Sequence, residues 1–368
     1  MQAKYSLSLV IAVFLLFCMG ILMVFNTTAA EVLDRALERS THHVFFKQMA
    51  YALIATVSAI GVYFLGYENV LRLSGIFLLL GTVFLILVFV PGIGMQINGA
   101  NRWVKILGNS IQPSEFVKIL LPLYTIHVIG RYKDEMTLKR FIRLALTLLI
   151  PIALILVEPD NGTVAIILVS LFVLFILMRI RWIYWALPLC TCMVVGGIAA
   201  SQMSHVPDRI RVYLNPELDL KGKGHQPHQA RIAAGSGGLF GKGIGESLQK
   251  MDYLPEARSD YIAAIFAEEF GFIGMIGLIM LYMTIGGIGF TMATKAPTLE
   301  GFYLVAILTF LICFQAFLNL GVVSGLLPSK GTNLPFFSHG GSSLLVNFLS
   351  VGLILSVIQK KRVYVRRK

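Results

Sequence analysis

Charge is what this chain has least of. Only 14% of its 368 residues are Asp, Glu, Lys or Arg, where soluble domains carry roughly a quarter, which excludes an ordinary soluble globular fold. Carboxylates are the scarcer sign, with 19 Asp and Glu against 31 Lys and Arg and a net charge of +12. The basic excess is not gathered on a soluble domain, so a nucleic-acid-binding role is excluded with it. Cysteine is limited to four residues, Cys18, Cys190, Cys192 and Cys313, all in apolar blocks. That excludes a disulfide framework, and Cys190-x-Cys192 brings no polar ligands that would make it a metal site. No repeat of 20–50 residues is present, which excludes a solenoid. No hydrophilic stretch is large enough to stand as a domain of its own.

What fills the chain instead is apolar residues, 57% of the total, with a mean hydropathy of +0.78. Crossing the hydrocarbon of a bilayer takes about 20 apolar residues per helix. Ten blocks of that kind fall near 6–26, 46–66, 70–91, 114–130, 144–158, 162–179, 183–200, 261–291, 301–323 and 342–359. Within lipid only helices satisfy every backbone polar group of such segments. The expected fold is therefore all-α, a polytopic integral membrane protein with about ten transmembrane helices, forming one domain over 1–368. The 261–291 block is long enough to tilt or to begin outside the bilayer. The first block is as long as a full span and no clear small-residue cleavage site follows it, so it reads as a retained helix rather than a signal peptide.

Lysine and arginine in the short connections set the orientation. The tail at 360–368 (KRVYVRRK after Lys360), the 131–143 connection and the RIRW run at 179–182 place those segments, and both termini, in the cytoplasm. By alternation the connections at 27–45, 91–113, 159–161, 201–260 and 324–341 face outward. The 201–260 loop is by far the longest, and long outward loops escape the positive-inside bias.

The chemistry-bearing residues gather in those outward connections. The stretch from Gln226 runs through a glycine-rich loop and Ser259-Asp260 straight into an apolar block. Gly235 to Gly245 (GSGGLFGKGIG) invites a phosphate-loop reading, but the glycine spacing is short, Gly243 replaces the Ser or Thr after Lys242, and no strand is expected before it. The glycines fit tight turns and close packing of a re-entrant or surface segment. Asp260 is suited either to capping a helix start or to chemistry at the membrane edge. Glu268 and Glu269 lie about 12–14 Å further along a helix, too far to share a site with Asp260, and read as partners of buried cations. Pro113-Ser114-Glu115 is helix-start chemistry, with Lys118 on the same face as Glu115. That pair is either self-neutralised or aimed at phosphate. Arg102 beside Trp103 is either an interfacial anchor or a phosphate contact. Glu158-Pro159-Asp160-Asn161-Gly162 has turn chemistry, with Asp160 a supporting carboxylate. Lys330 and Ser338 to Ser343 flank Leu334-Pro335-Phe336-Phe337 in an irregular loop expected to line a cavity. No His, Cys or carboxylate spacing typical of a tight metal site appears.

Together these segments resemble the SEDS family (shape, elongation, division and sporulation) of bacterial cell-wall polymerases. The resemblance rests on NRWVKILGNSIQPSEFVK, EPDNGT, RIRVYLNPELD, HQARIAAGSGGLFGKGIGESLQK, LPEARSDYIAAIFAEEFGFIG and GLLPSKGTNLPFFSHGGSS, in family order across residues 101–343. Lys330 in LLPSKG is more similar to the division-type branch than to the elongation-type branch. Asn161, Arg258 and His339 depart from residues frequent at those points, while the acidic residue at 260 is kept.

The resemblance implies a glycosyltransferase that polymerises lipid II, the undecaprenyl-pyrophosphate-linked disaccharide pentapeptide, on the outer face of the cytoplasmic membrane at the division septum. It implies an inverting displacement with Asp260 as base and Lys118 and Arg102 facing the leaving pyrophosphate, Glu115 orienting Lys118. Gln226, Lys330 and Ser338 are further substrate-binding candidates. No organic cofactor and no protein-held metal are expected, although a divalent cation (Mg or Mn) bound with the pyrophosphate can assist. The implied partners are a class B penicillin-binding protein transpeptidase and other divisome proteins. A lipid II flippase, an assembly scaffold and the elongation-type polymerase are the alternatives that composition leaves open.

Overall fold

The computed structural model describes residues 2–34, 42–97, 100–106, 108–132, 135–186, 213, 224–250, 257–328 and 331–359. Most of the block at 183–200, the loop residues 201–212, 214–223 and 251–256, Lys330 and the 360–368 tail therefore lie outside the described residues. Helices occupy the other nine apolar blocks: α1 (Gln2–Asp34), α2 (His42–Leu65), α3 (Tyr67–Leu87), α4 (Pro113–Gly130), α5 (Leu138–Val157), α6 (Asn161–Leu177), α8 (Ile262–Thr294), α9 (Leu299–Val323) and α10 (Gly341–Gln359). A further short helix, α7 (His225–Ser236), precedes the glycine-rich loop. Seven helices among the described residues are long and apolar enough to cross a membrane, and α6 is a shorter apolar one. The count of ten spans is an expectation that these residues do not complete.

Local sequence explains where the helices start. Pro113 opens α4 with a preset backbone angle and Glu115 sits in its first turn, where the helix dipole favours a negative charge. Thr137, Asp160 and Thr298 each cap a helix by accepting a backbone N–H, for α5, α6 and α9 respectively. Capping of this kind contributes about 1 kcal/mol each.

Burial separates two surfaces. The core runs through α1, α4, α6, α8, α9 and α10, with Phe266, Leu304, Leu308, Phe337 and Val357 among its fully enclosed side chains. Large apolar side chains such as Phe14, Phe64, Leu79 and Leu149 stand outward from α1, α2, α3 and α5. On a water-facing surface this would be an aggregating patch; around apolar helices of spanning length it is the lipid-facing belt.

One element departs from an all-helical reading. The connection after α3 folds into a small antiparallel sheet, β1 (Gly94–Ile97), β2 (Ala100–Ile106) and β3 (Asn109–Ile111), in the order β1-β2-β3. Within β2 Val104 is buried and Lys105 exposed, an alternation too brief to stand out among apolar spans. The sheet brings Arg102 and Trp103 over the end of the helical bundle.

Helix α8 is broken rather than merely long. Gly271 adopts φ 67° and ψ −165° inside it, and the glycine-rich loop docks against the break. The N–H groups of Phe272 and Ile273 donate to the carbonyls of Gly238 and Leu239, and those of Lys242 and Gly243 donate to Glu268 and Glu269. A side chain at Gly271 or Gly241, both at positive φ, would run into the facing backbone, so glycine is required at this crossing.

Candidate active site

The connections expected to face outward converge, in their described residues, on one end of the bundle, around a polar cavity of about 380 Å³. Its wall takes Lys47 and Tyr51 from α2, Arg102 and Trp103 from β2, Gln112 and Glu115 from the start of α4, and Asp160 from the α5–α6 turn. Arg258, Ser259 and Asp260 come from the approach to α8, Gln315 from α9, and Gly331, Asn333 and His339 from the loop before α10. Segments far apart in sequence thus bring three carboxylates and three cations to one wall.

Asp260 is half-buried and faces the cavity, and α8 begins two residues later. Its segment is fixed from two sides. Asn319 on α9 donates through Nδ2 to the Asp260 carbonyl (2.8 Å) and to the Thr332 carbonyl (2.6 Å). Ser338 Oγ donates to the Ser259 carbonyl (2.6 Å) and accepts from the Leu334 N–H. The Gly331 backbone passes so close that a Cβ there would stand 2.7 Å from Asp260 Oδ2.

Glu115 and Lys118 form an ion pair at 2.8 Å, with side-chain exposures of 12% and 2%. Lys118 Nζ also donates to Gln315 Oε1 (2.8 Å), and Gln315 Nε2 donates to the Asn333 carbonyl (3.0 Å). The ammonium is therefore behind the wall, and it orders Glu115 and Gln315, which are on it. Asp160 is held by Gln112 Nε2, Ser114 Oγ, Thr163 Oγ1 and the Thr163 N–H, at 2.8–3.2 Å. It is the cap of α6 and the fastening of α4 to α6 at once. Arg102 donates to the Glu158 carbonyl (3.1 Å) and the Pro159 carbonyl (2.6 Å) of the same turn. Burial, then the neighbouring Asp160 charge, pushes the Glu158 carboxyl up to about 8 against the opposing pull of Arg102. Burial likewise raises the Tyr261 phenol, with Asp260 adding to it.

Of the residues singled out in the sequence, Asp260, Glu115, Arg102 and Asp160 share the cavity wall. Lys118 and Ser338 lie just behind it. Gln226 is half-buried in the first turn of α7 and is not on the wall, and Lys330 is outside the described residues. Glu268 and Glu269 belong to a separate network. Glu268 takes Lys242 Nζ (2.6 Å), the Ser236 and Ser247 hydroxyls and two loop N–H groups; Glu269 takes Lys250 Nζ (2.9 Å) and Asn26 Nδ2 (2.6 Å). Both bolt the glycine-rich loop to α8.

Sequence reading passed over Lys47, Tyr51, Gln112, Gln315 and Asn319. The last two had a signal: polar amides four residues apart on one face of an otherwise apolar span, where an intramembrane polar group needs a partner. Lys47 and Tyr51 show the same spacing at the head of α2, with the ammonium 5.7 Å from the ring centroid. Among the described residues no three His, Cys, Asp or Glu side chains cluster as metal ligands. Cys18 and Cys313 are free thiols, and Cys190 and Cys192 lie outside the described residues.

This architecture defines a polytopic integral membrane protein whose inter-helix connections build a charged cavity at one end of its helices. The chain belongs to the FtsW/RodA/SpoVE family of cell cycle proteins, whose family model matches residues 7–363. It is 34% identical over 363 residues to the probable peptidoglycan glycosyltransferase FtsW of Trichlorobacter lovleyi, covering 96% of this chain and 93% of that protein. The protein of the same description from Thioalkalivibrio sp. is 36% identical over 370 residues, covering 99% and 92%. Among solved structures, a chain of a peptidoglycan synthase complex described as coordinating polymerization and crosslinking superposes with a TM-score of 0.76 at 24% identity, covering 95% of this chain and 96% of that one. Thermus thermophilus RodA, a rod shape determining protein, superposes with a TM-score of 0.68 at 24% identity, covering 95% of both chains. These two likenesses establish the fold.

Proposed function

We propose that this chain is a division-type peptidoglycan glycosyltransferase that polymerises lipid II at the outer face of the cytoplasmic membrane. The observation that carries the reading is the cavity itself, a charged pocket with an aspartate and three cations at the end of a lipid-facing bundle, in a chain whose full-length relatives are described as FtsW glycosyltransferases. A substrate with a polar disaccharide and a pyrophosphate on a lipid tail matches both halves of that surface.

In this reading Asp260 is the general base. It takes the proton of the acceptor 4-hydroxyl as that oxygen attacks the anomeric carbon of the donor sugar, and undecaprenyl pyrophosphate leaves from the opposite side. One displacement inverts the anomeric centre and gives a β-1,4 bond. Arg102 meets the charge that develops on the pyrophosphate, with Lys47 and Arg258 on the same wall. Lys118 acts through Glu115 and Gln315 rather than by contact. Glu115 and Asp160 already have partners, so the described residues do not fit a resident metal site. A divalent cation, Mg or Mn, would come with the pyrophosphate as part of the substrate, and no step is routed through it.

The natural partner for such an activity is a class B penicillin-binding protein transpeptidase that cross-links the new strand, with other divisome proteins at the septum. The test uses purified full-length protein with that transpeptidase in liposomes, lipid II as substrate, and glycan polymer as readout. Wild type should make polymer and Asp260→Ala should make none at equal folding. Equal polymer from both would move the chemistry away from Asp260, and no polymer from wild type would turn attention to lipid II transport.

A further inference from the structure

Among the described residues, Glu158 is a buried acid beside the cavity that the mechanism above does not use. Glu158 closes α5, its side chain is 0% exposed, and neither carboxyl oxygen has a hydrogen-bond partner. Yet its backbone carbonyl and that of Pro159 are the two acceptors that hold Arg102. The side chain thus sits beneath the turn that carries two residues of the cavity wall, Arg102 by hydrogen bonds and Asp160 by the chain.

The charges acting on the Glu158 carboxyl are Asp160, which opposes its ionisation, and Arg102 from β2, which favours it. On α4, Glu115 and Lys118 are paired with each other. Helix α6 carries no acidic or basic residue, and its Thr163 is bound to Asp160. The acidic and basic residues of α3, Glu68 and Arg72, lie in its first two turns, at the far end of the helix. A buried carboxyl with no partner is tolerated as the neutral acid and is costly as the anion.

We propose that Glu158 is a positioning residue for Arg102. As the neutral acid it leaves the guanidinium on the two turn carbonyls, facing the cavity; as the anion it draws the guanidinium onto itself and away from the substrate. The carboxyl titrates at about 8, so the change falls just above neutrality. The inference rests on the reading of the cavity as the pyrophosphate site.

The experiment measures kcat/KM for lipid II polymerisation from about pH 6.5 to 9.5, spanning the titration of a raised carboxyl. It compares wild type, Glu158→Gln and Glu158→Leu, each full-length with the transpeptidase in liposomes. Wild type should fall about tenfold from pH 7 to pH 9, the ionised fraction expected one unit above the midpoint. In both variants the ratio of the two values should stay near one, whatever their absolute rates. A merely structural side chain would lower the rate at every pH and leave the alkaline fall in place, and that result overturns the proposal.

Should wild type make no polymer at any pH, the polymerase reading fails and unfolding decides the positioning role. A carboxyl whose folded pKa is raised gives stability that is present below its unfolded value and lost as pH rises through about 8. Wild type should therefore lose thermal stability over that window while Glu158→Gln does not. Arg102→Gln, lacking the cation that meets the new anion, should lose more than wild type. Equal loss in wild type and Arg102→Gln would mean that Arg102 does not answer Glu158.

Discussion

Replacing Gly331 by alanine should displace the Asp260 carboxylate while leaving the fold intact. Gly331 is not among the glycines at positive φ, so alanine adds no backbone strain there. The new Cβ would stand 2.7 Å from Asp260 Oδ2, and ordinary contact begins at 3.4 Å. The carboxylate must therefore retreat by about 0.7 Å, the difference between those two distances. A misplacement of about 1 Å can cost on the order of 100-fold in rate, so a loss of roughly 10- to 100-fold is expected, about 1.4–2.7 kcal/mol of transition-state stabilisation. The assay is lipid II polymerisation with thermal unfolding measured on the same preparation. Gly235→Ala, on α7 with nothing within 4 Å of the added carbon, serves as the control and should match wild type in both. A Gly331→Ala rate equal to wild type, with Asp260→Ala inactive, would refute the idea that the Gly331 backbone sets the working position of the carboxylate.

Two further expectations concern the fastening of the glycine-rich loop. Lys250 and Glu269 are buried to 4% and 0% exposure, so Lys250→Met should cost about 3 kcal/mol by stranding the carboxylate, and Lys250→Met with Glu269→Leu should recover part of it; unfolding in detergent measures both. Gly238 and Gly241 both have positive φ, but only at Gly241 would a Cβ collide with backbone, that of Glu269 and Phe270. Gly238→Ala should therefore cost about 1 kcal/mol and Gly241→Ala distinctly more, visible as a larger drop in Tm.

Much of this was legible in the sequence, for reasons that differ by element. The nine helices that occupy apolar blocks, seven of them long and apolar enough to cross a membrane, follow from apolar run length, because lipid admits few other backbones. Asp260, Glu115, Arg102 and Asp160 could be placed near one another because alternation puts their connections on one side of the membrane. Distance along a helix separated Glu268 and Glu269 from Asp260. The direction a long side chain takes was not legible: Lys118 could as well have faced the cavity as Gln315. Nor does spacing show that Asn319, on α9, ties together the Asp260 segment and the loop at Thr332, since that contact joins residues 59 positions apart. The small sheet was hidden because its strands are only four, seven and three residues long and show no sustained alternation.

The break in α8 also bears on how the chain is made. A helix entering the bilayer with Gly271 unwound carries the N–H groups of Phe272 and Ile273 and the carbonyls of Glu268 and Glu269 without partners of its own, a state that hydrocarbon penalises heavily. Their partners, Gly238, Leu239, Lys242 and Gly243, are all earlier in the chain. During synthesis the loop has therefore already been delivered when α8 emerges, and the broken helix can be completed as it inserts. Order of manufacture and order of assembly coincide, so a version of this fold permuted to bring the loop after α8 would have to insert an unsatisfied helix and wait.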